Sequence, residues 1–197
     1  MRRIFLVVAA LCAFTAAPAQ AATSTVAMKG LKFDPAIVRV RIADTVTWTN
    51  GASDRHTTTS TGPTAWDSGR LNPWGGRYNR AFPIAGSFPY YCAIHKSAGM
   101  TGVVRVATVV SPATGTTGTD FVITLAAAGV KPPTGYVFVA EKALGSGAFT
   151  TLSRTTTPTA HFRLTTRGTY SVRAGLQKTS GAITAAWFSD PVTVTVS

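Results

Sequence analysis

The sequence predicts an all-β protein, two β-sandwiches in tandem behind a short leader, and three observations carry that expectation. Apolar residues recur at every second position in most segments, and Gly, Pro, Asn, Asp and Ser punctuate the runs. A Pro/Gly/Thr-rich stretch, SPATGTTGTD, then divides the 197 residues into two parts, each long enough for its own core.

The leader comes first. Met1 to Arg3 form a basic start, Ile4 to Ala17 an apolar run too short to span a bilayer, and Ala19-Gln20-Ala21 the small-residue pattern of a signal-peptidase site. Residues 1–21 are therefore expected to be a signal peptide, with the mature chain starting near Ala22 and exported to a periplasm or the exterior. No second apolar segment suggests a membrane span. Cys12 departs with the leader, which leaves Cys92 alone. An unpaired thiol in an oxidising compartment is either buried and inert or a metal ligand.

Residues 22–107 read as the first sandwich. Val38, Val40 and Ile42 alternate with Arg39 and Arg41, and Val46 and Trp48 with Thr45, Thr47 and Thr49, so each strand has one buried and one wet face. Asp44, Asn50-Gly51 and Asn72-Pro73-Trp74-Gly75-Gly76 supply turns. A short helix is expected at most between Gly62 and Asn72. Residues 108–197 read as the second sandwich, from Phe121/Ile123/Leu125, Tyr136/Phe138, Phe162/Leu164, Tyr170/Val172/Ala174 and Val192/Val194/Val196. The run RGTYSVRAGL resembles the strand of immunoglobulin-like and fibronectin-like domains that carries a tyrosine corner, with Tyr170 as the corner and Val172 where antibody domains place a cysteine. His161 stands beside Phe162 with no other ligand type near it and reads as structural.

The chemistry concentrates in YYCAIHKSAGM. Phe88, Tyr90 and Cys92 share one strand face, so Cys92 points inward where the strand ends. Ala98-Gly99 and Gly102 let the following loop curl back and bring His95 and Met100 toward the sulfur. His56, after the Asn50 to Asp54 turn, can reach the same end of a sandwich. Singly, His56 reads as a loop residue, His95 as a turn residue and Met100 as core filling. Together a thiolate, imidazole and a weak thioether suit copper and electron transfer. Zinc is the competing metal, since Cys and two His with an open position can build a catalytic site, although Met is a poor zinc ligand and no acidic base closely follows either histidine.

The region from about Val26 to Val106 is similar to the cupredoxins, the type 1 blue copper domains of the plastocyanin, pseudoazurin and amicyanin group. LKFDPAIVRVRIADTVTWTN carries their Phe-x-Pro (Phe33, Pro35) and Trp-x-Asn (Trp48, Asn50), and WDSGRLNPWGGRYNRAFPIAGSFPYYC their Ser-Gly, glycine loop and Tyr-x-Cys. The resemblance implies a Greek-key β-sandwich holding one copper ion, cycling between Cu(I) and Cu(II), on His56, Cys92, His95 and axial Met100. The Cys-x2-His-x4-Met spacing matches plastocyanin and pseudoazurin and departs from amicyanin. His95 would be the exposed edge for electrons, with Thr57, Asn50 and the Ala93 amide supporting the ligands.

Nineteen basic against seven acidic residues give a formal charge of +12, about +10 without Arg2 and Arg3. The basic residues are scattered, without a nucleic-acid motif. Lys96, Arg55 and the Arg77 to Arg80 segment are expected to steer an acidic redox partner. Three histidines cannot supply the second copper site of an oxidase or nitrite reductase, so an enzyme is not expected. A copper carrier or store, or an adhesion module in which copper is not used for electron transfer, is the alternative. Oligomeric state is open.

Overall fold

A computed structural model describes residues 20–180 and 187–197. All but the last two residues of the expected leader lie outside the described residues. Nine strands build the first sandwich: β1 (Thr23–Lys29), β2 (Lys32–Asp34), β3 (Ile37–Arg41), β4 (Thr45–Asn50), β5 (Thr59–Ser60), β6 (Trp66–Asp67), β7 (Arg77–Ala81), β8 (Gly86–Tyr91) and β9 (Thr101–Ala107). One sheet runs β2-β1-β4-β7 and the other β3-β9-β8-β5-β6. Pairing is parallel between β1 and β4 and between β3 and β9, as crossing between the two sheets requires, and antiparallel in the other pairs.

The alternation expected of these strands is observed. Val38, Val40, Val46 and Trp48 are buried, while Arg39 and Arg41 face solvent. Trp48 anchors an aromatic core, its ring centroid 5.3 Å from Tyr90, 5.9 Å from Tyr78, 6.1 Å from Trp66 and 6.2 Å from Phe82. Burial pushes the Tyr90 phenol up to about 12, the neighbouring Trp48 indole opposing it only in part, so it stays neutral in this core.

The helix expected between Gly62 and Asn72 is not there. Burying Trp66 on β6, paired with β5, takes precedence over local propensity, and Gly69 turns at a φ of 64°. The one 3-10 turn in this sandwich lies instead at Lys96–Ala98, in the loop after β8.

Eight further strands follow: β10 (Val109–Ser111), β11 (Thr114–Gly115), β12 (Asp120–Thr124), β13 (Tyr136–Leu144), β14 (Thr150–Thr155), β15 (Thr159–Arg163), β16 (Gly168–Lys178) and β17 (Val192–Val196). They form sheets β10-β12-β15 and β11-β17-β16-β13-β14. The tyrosine corner is present: Tyr170 Oη donates to the Thr166 carbonyl at 2.9 Å, and Val172 is fully buried. His161 is exposed and pairs with Asp120 at 2.8 Å, a surface role.

On the outer face of β16, Arg173 reaches Glu141 at 2.6 Å and lies between the Phe149 and Phe188 rings. The chain around Phe188 thereby lies over this sheet and carries Trp187 and Asp190 to the first sandwich. Asp190 accepts from Arg39 and Arg105, and Trp187 closes on Gly62. At the β7 to β8 turn the two sandwiches share a bridge between Ile84 and Ala126, with the Ala85 amide donating to Leu125 and the Ala127 amide to Pro83, both at 2.8 Å.

Partial burial would raise the Asp190 pKa, but the hydrogen bonds and charges of Arg39 and Arg105 outweigh it and hold the carboxyl below its ordinary 3.8. A lowered carboxylate pKa stabilises the fold above its unfolded value, and the gain is lost as pH falls through the folded one. Asp190→Asn is therefore expected to be less stable than wild type near neutral pH, with urea midpoints converging below about pH 4. The pair is solvent-screened, so the gap should also shrink in salt.

Candidate metal centre

Cys92 continues the inward row of Phe88 and Tyr90 and is fully buried just past the end of β8. The loop that follows is closed by backbone bonds. The Cys92 amide donates to the Met100 carbonyl at 3.0 Å, and the His95 amide to the Cys92 carbonyl at 3.2 Å. Gly99, at a φ of 74°, ends the Lys96–Ala98 turn in the left-handed conformation that glycine takes without strain. Met100 is thereby returned to the interior at 1% exposure.

His56 comes from the other side. Its backbone exchanges two hydrogen bonds with Leu71, at 2.8 and 3.3 Å. Buried Asn50 fixes that loop: its amide group donates to the carbonyls of Asp54 (2.8 Å) and Leu71 (3.1 Å), and its oxygen accepts from the Ala52 amide (3.0 Å). The His56 ring, fully buried, meets the others at one point. Cys92 Sγ lies 3.6 Å from His56 Nδ1 and 3.5 Å from His95 Nδ1, and the two Nδ1 atoms are 3.1 Å apart.

Donors bound at 2.0 to 2.3 Å around one tetrahedral first-row ion stand roughly 3.3–3.5 Å from each other, so these separations fit a single ion. Protons on the ring nitrogens cannot satisfy all three facing donors at once, whereas a cation can. Burial, then the neighbouring His95, pushes the His56 imidazole below its ordinary 6.5, opposed by Asp54, which favours the neutral, ligating form. A soft sulfur with two imidazoles, and a buried thioether in the same loop, suits copper.

Thr57 joins the two sides. Its amide donates to Cys92 Sγ at 3.3 Å, and its hydroxyl accepts from the Ala93 amide at 2.7 Å. The Ala93 amide thus meets a hydroxyl and not the sulfur, while the backbone of Thr57 supplies the donor to sulfur. Such outer contacts orient ligands and tune their basicity.

Around the half-exposed His95 ring, a depression of about 300 Å³ is lined by Asp54, Arg55, Arg70 and Ile94. Lys96 lies over the Tyr91 ring, its Nζ 4.7 Å from the centroid. Arg80, expected to steer partners, is instead taken up beneath the surface: its guanidinium lies 4.7 Å from the Trp66 ring centroid and donates to the Thr64 carbonyl. Trp74 is a functional candidate that the sequence reading passed over as part of a turn. It is 73% exposed at a φ of 55°, in a loop bonded to Asn50 and Ala52. A tryptophan directly before two glycines, in a turn that offers it no apolar run to pack on, was the available signal.

The model of the copper binding proteins, plastocyanin/azurin family, matches residues 20–107. Chloroplastic plastocyanin of Tetradesmus obliquus is 35% identical over 85 residues, which cover 39% of this chain and 59% of that protein. Plastocyanin of Scenedesmus fuscus is 31% identical over 85 residues, covering 39% of this chain and 87% of the relative. Among solved structures, a reduced amicyanin variant is 25% identical, with 43% of this chain and 82% of that one covered at a TM-score of 0.40.

Proposed function

Because this chain belongs to the plastocyanin/azurin family of copper-binding proteins, we propose that it is an exported one-electron carrier whose copper is held by His56, Cys92, His95 and Met100. The convergence of Sγ and two Nδ1 atoms within 3.1–3.6 Å is the observation that supports this ligand set most directly. Copper supplies a Cu(II)/Cu(I) couple. The protein's part is to keep the donors in one arrangement for both states, and the backbone-closed loop and Asn50-pinned His56 do this without side-chain rearrangement.

His95, half-exposed beside Ile94, is the edge through which electrons pass, and fully buried His56 is the sheltered ligand. Exposed Arg55, Arg70 and Lys96 favour an acidic partner. Residues 22–107 are the copper domain in this reading and residues 108–197 an immunoglobulin-like domain. His56, Cys92 and His95 form one cluster of metal-capable side chains among the described residues, as a carrier with a single copper ion needs.

Titrating the purified mature protein with Cu(II) should give one equivalent bound and an intense visible thiolate-to-copper absorption that ascorbate bleaches and ferricyanide restores. A colourless complex would remove the type 1 assignment, and colour without reversible bleaching would favour storage.

Exposed Trp74, in the loop bonded to Asn50 and Ala52, is in this reading a further part of the partner face. A non-glycine residue in left-handed backbone costs about 1–3 kcal/mol, and such strain tends to persist where it serves a site. Trp74→Gly is expected to stabilise the apo-protein by about 1 kcal/mol in urea titration. Unchanged or lowered stability would show that the left-handed turn at Trp74 stores no strain.

A further inference from the structure

The structure assigns buried Asp44 as the receptor for a new amino terminus at Ala22, so that removal of the leader completes an ion pair within the first sandwich. The inference rests on the export reading above and concerns what cleavage does to the folded chain. Asp44 is 6% exposed, and both its oxygens are engaged: Oδ2 accepts from the Arg41 amide at 2.8 Å, and Oδ1 from the Ala22 nitrogen at 2.7 Å. No basic side chain pairs with it among the described residues. The Ala22 carbonyl in turn accepts from the Thr45 amide at 2.9 Å, which ties Ala22 to β4 just before β1 begins.

Gln20, Ala21 and Ala22 are exposed and outside regular structure, so the folded chain has room for a new amino terminus at Ala22. Ala19 and Ala21 supply the small residues that a signal peptidase reads. Hydrolysis of the Ala21–Ala22 bond adds one water: hydroxide goes to the Ala21 carbonyl carbon, leaving with the leader as a carboxylate, and protons go to the Ala22 nitrogen. That nitrogen, a neutral amide donor in the precursor, becomes an ammonium against the same Asp44 oxygen. The bond, charged on the acceptor side alone in the precursor, becomes an ion pair charged on both sides. A carboxylate otherwise buried without a countercharge gains one.

Cleavage at this bond also removes Gln20, which lines a cleft of about 320 Å³ with Arg41, Asp44, Val109 and Ala127 at the junction of the two sandwiches. The precursor is therefore the less stable form, suited to crossing a membrane unfolded, and the processed protein the locked one.

The test uses the whole mature chain released without scar from a cleavable fusion, so that it starts at Ala22, beside one that starts at Gln20. Each is made with and without Asp44→Asn. With Asp44 intact, the Ala22 start should melt higher by roughly 2–4 °C. Asp44→Asn should abolish that difference. Equal melting of the two starts, or a difference that persists in Asp44→Asn, overturns the inference. Amino-terminal sequencing of the exported protein is the separate arm: a start at Ala22 supports processing at this bond, whereas a start elsewhere overturns it whatever the melting shows. Recovery of the protein only in the cytosol, with its leader intact, would reject the export reading itself.

Discussion

Cys92→Ser is expected to abolish the visible absorption of the copper-loaded protein and to lower its copper affinity by more than about 100-fold, beyond the 10–100-fold that outer contacts usually cost. In the proposed ligand set the thiolate is the soft donor, and a serine hydroxyl at the same position is a hard oxygen that does not ionise at neutral pH. The sulfur is fully buried and accepts the Thr57 amide, so serine keeps a hydrogen-bond partner and the fold is expected to survive. Circular dichroism and urea midpoints of the apo-proteins check the fold, and optical titration with Cu(II) checks the site. Retained colour would mean that the sulfur is not a ligand. Unchanged copper affinity, with the colour lost, would move the metal to other donors.

Asn50→Ala is expected to cost about 3 kcal/mol of stability, because it removes three hydrogen bonds, to the Asp54 and Leu71 carbonyls and from the Ala52 amide, at about 1 kcal/mol each. At roughly 2–4 °C per kcal/mol for a chain of this size, the apo-protein should melt about 6–12 °C lower. The site should respond as well. Leu71 O accepts from both Asn50 and the His56 amide, so the turn that carries His56 loses the group that fixes it. Cu(I) competition against a chelator should show weaker binding by about 10-fold or more. A stability change under about 0.5 kcal/mol would show that water replaces Asn50 and that the turn holds itself.

The copper end was legible to different depths. Cys92, His95 and Met100 lie within nine positions, and strand alternation followed by a glycine-bearing loop is local information. His56 is local to nothing in that cluster. Its place depends on β5 pairing with β8, which sets Thr59 against Tyr91, and the family likeness supplied what periodicity could not. The donor to the sulfur was out of reach because it is a backbone amide, and any residue at position 57 offers one. Arg80 looked like a free charge until the fold placed Trp66 beneath it. The helix expected after Gly62 failed where a two-residue strand buries a tryptophan, a tertiary gain that no window of propensity registers. In the second sandwich β12, β13, β15, β16, β17 and Tyr170 were readable, whereas β11 and β14 carry no apolar alternation and Arg173 between Phe149 and Phe188 joins residues far apart in the chain.

The bridge between Ile84 and Ala126 gives the molecule a polarity of handling. It joins the sandwiches at the turn where β8 begins, and Cys92 lies just past the far end of that same strand. A load placed on the second sandwich reaches the first at this turn and also where Trp187 meets Gly62 and Asp190 meets Arg39 and Arg105. None of these contacts involves His95, so in the proposed reading the C-terminal half would hold the first sandwich with that histidine's edge uncovered.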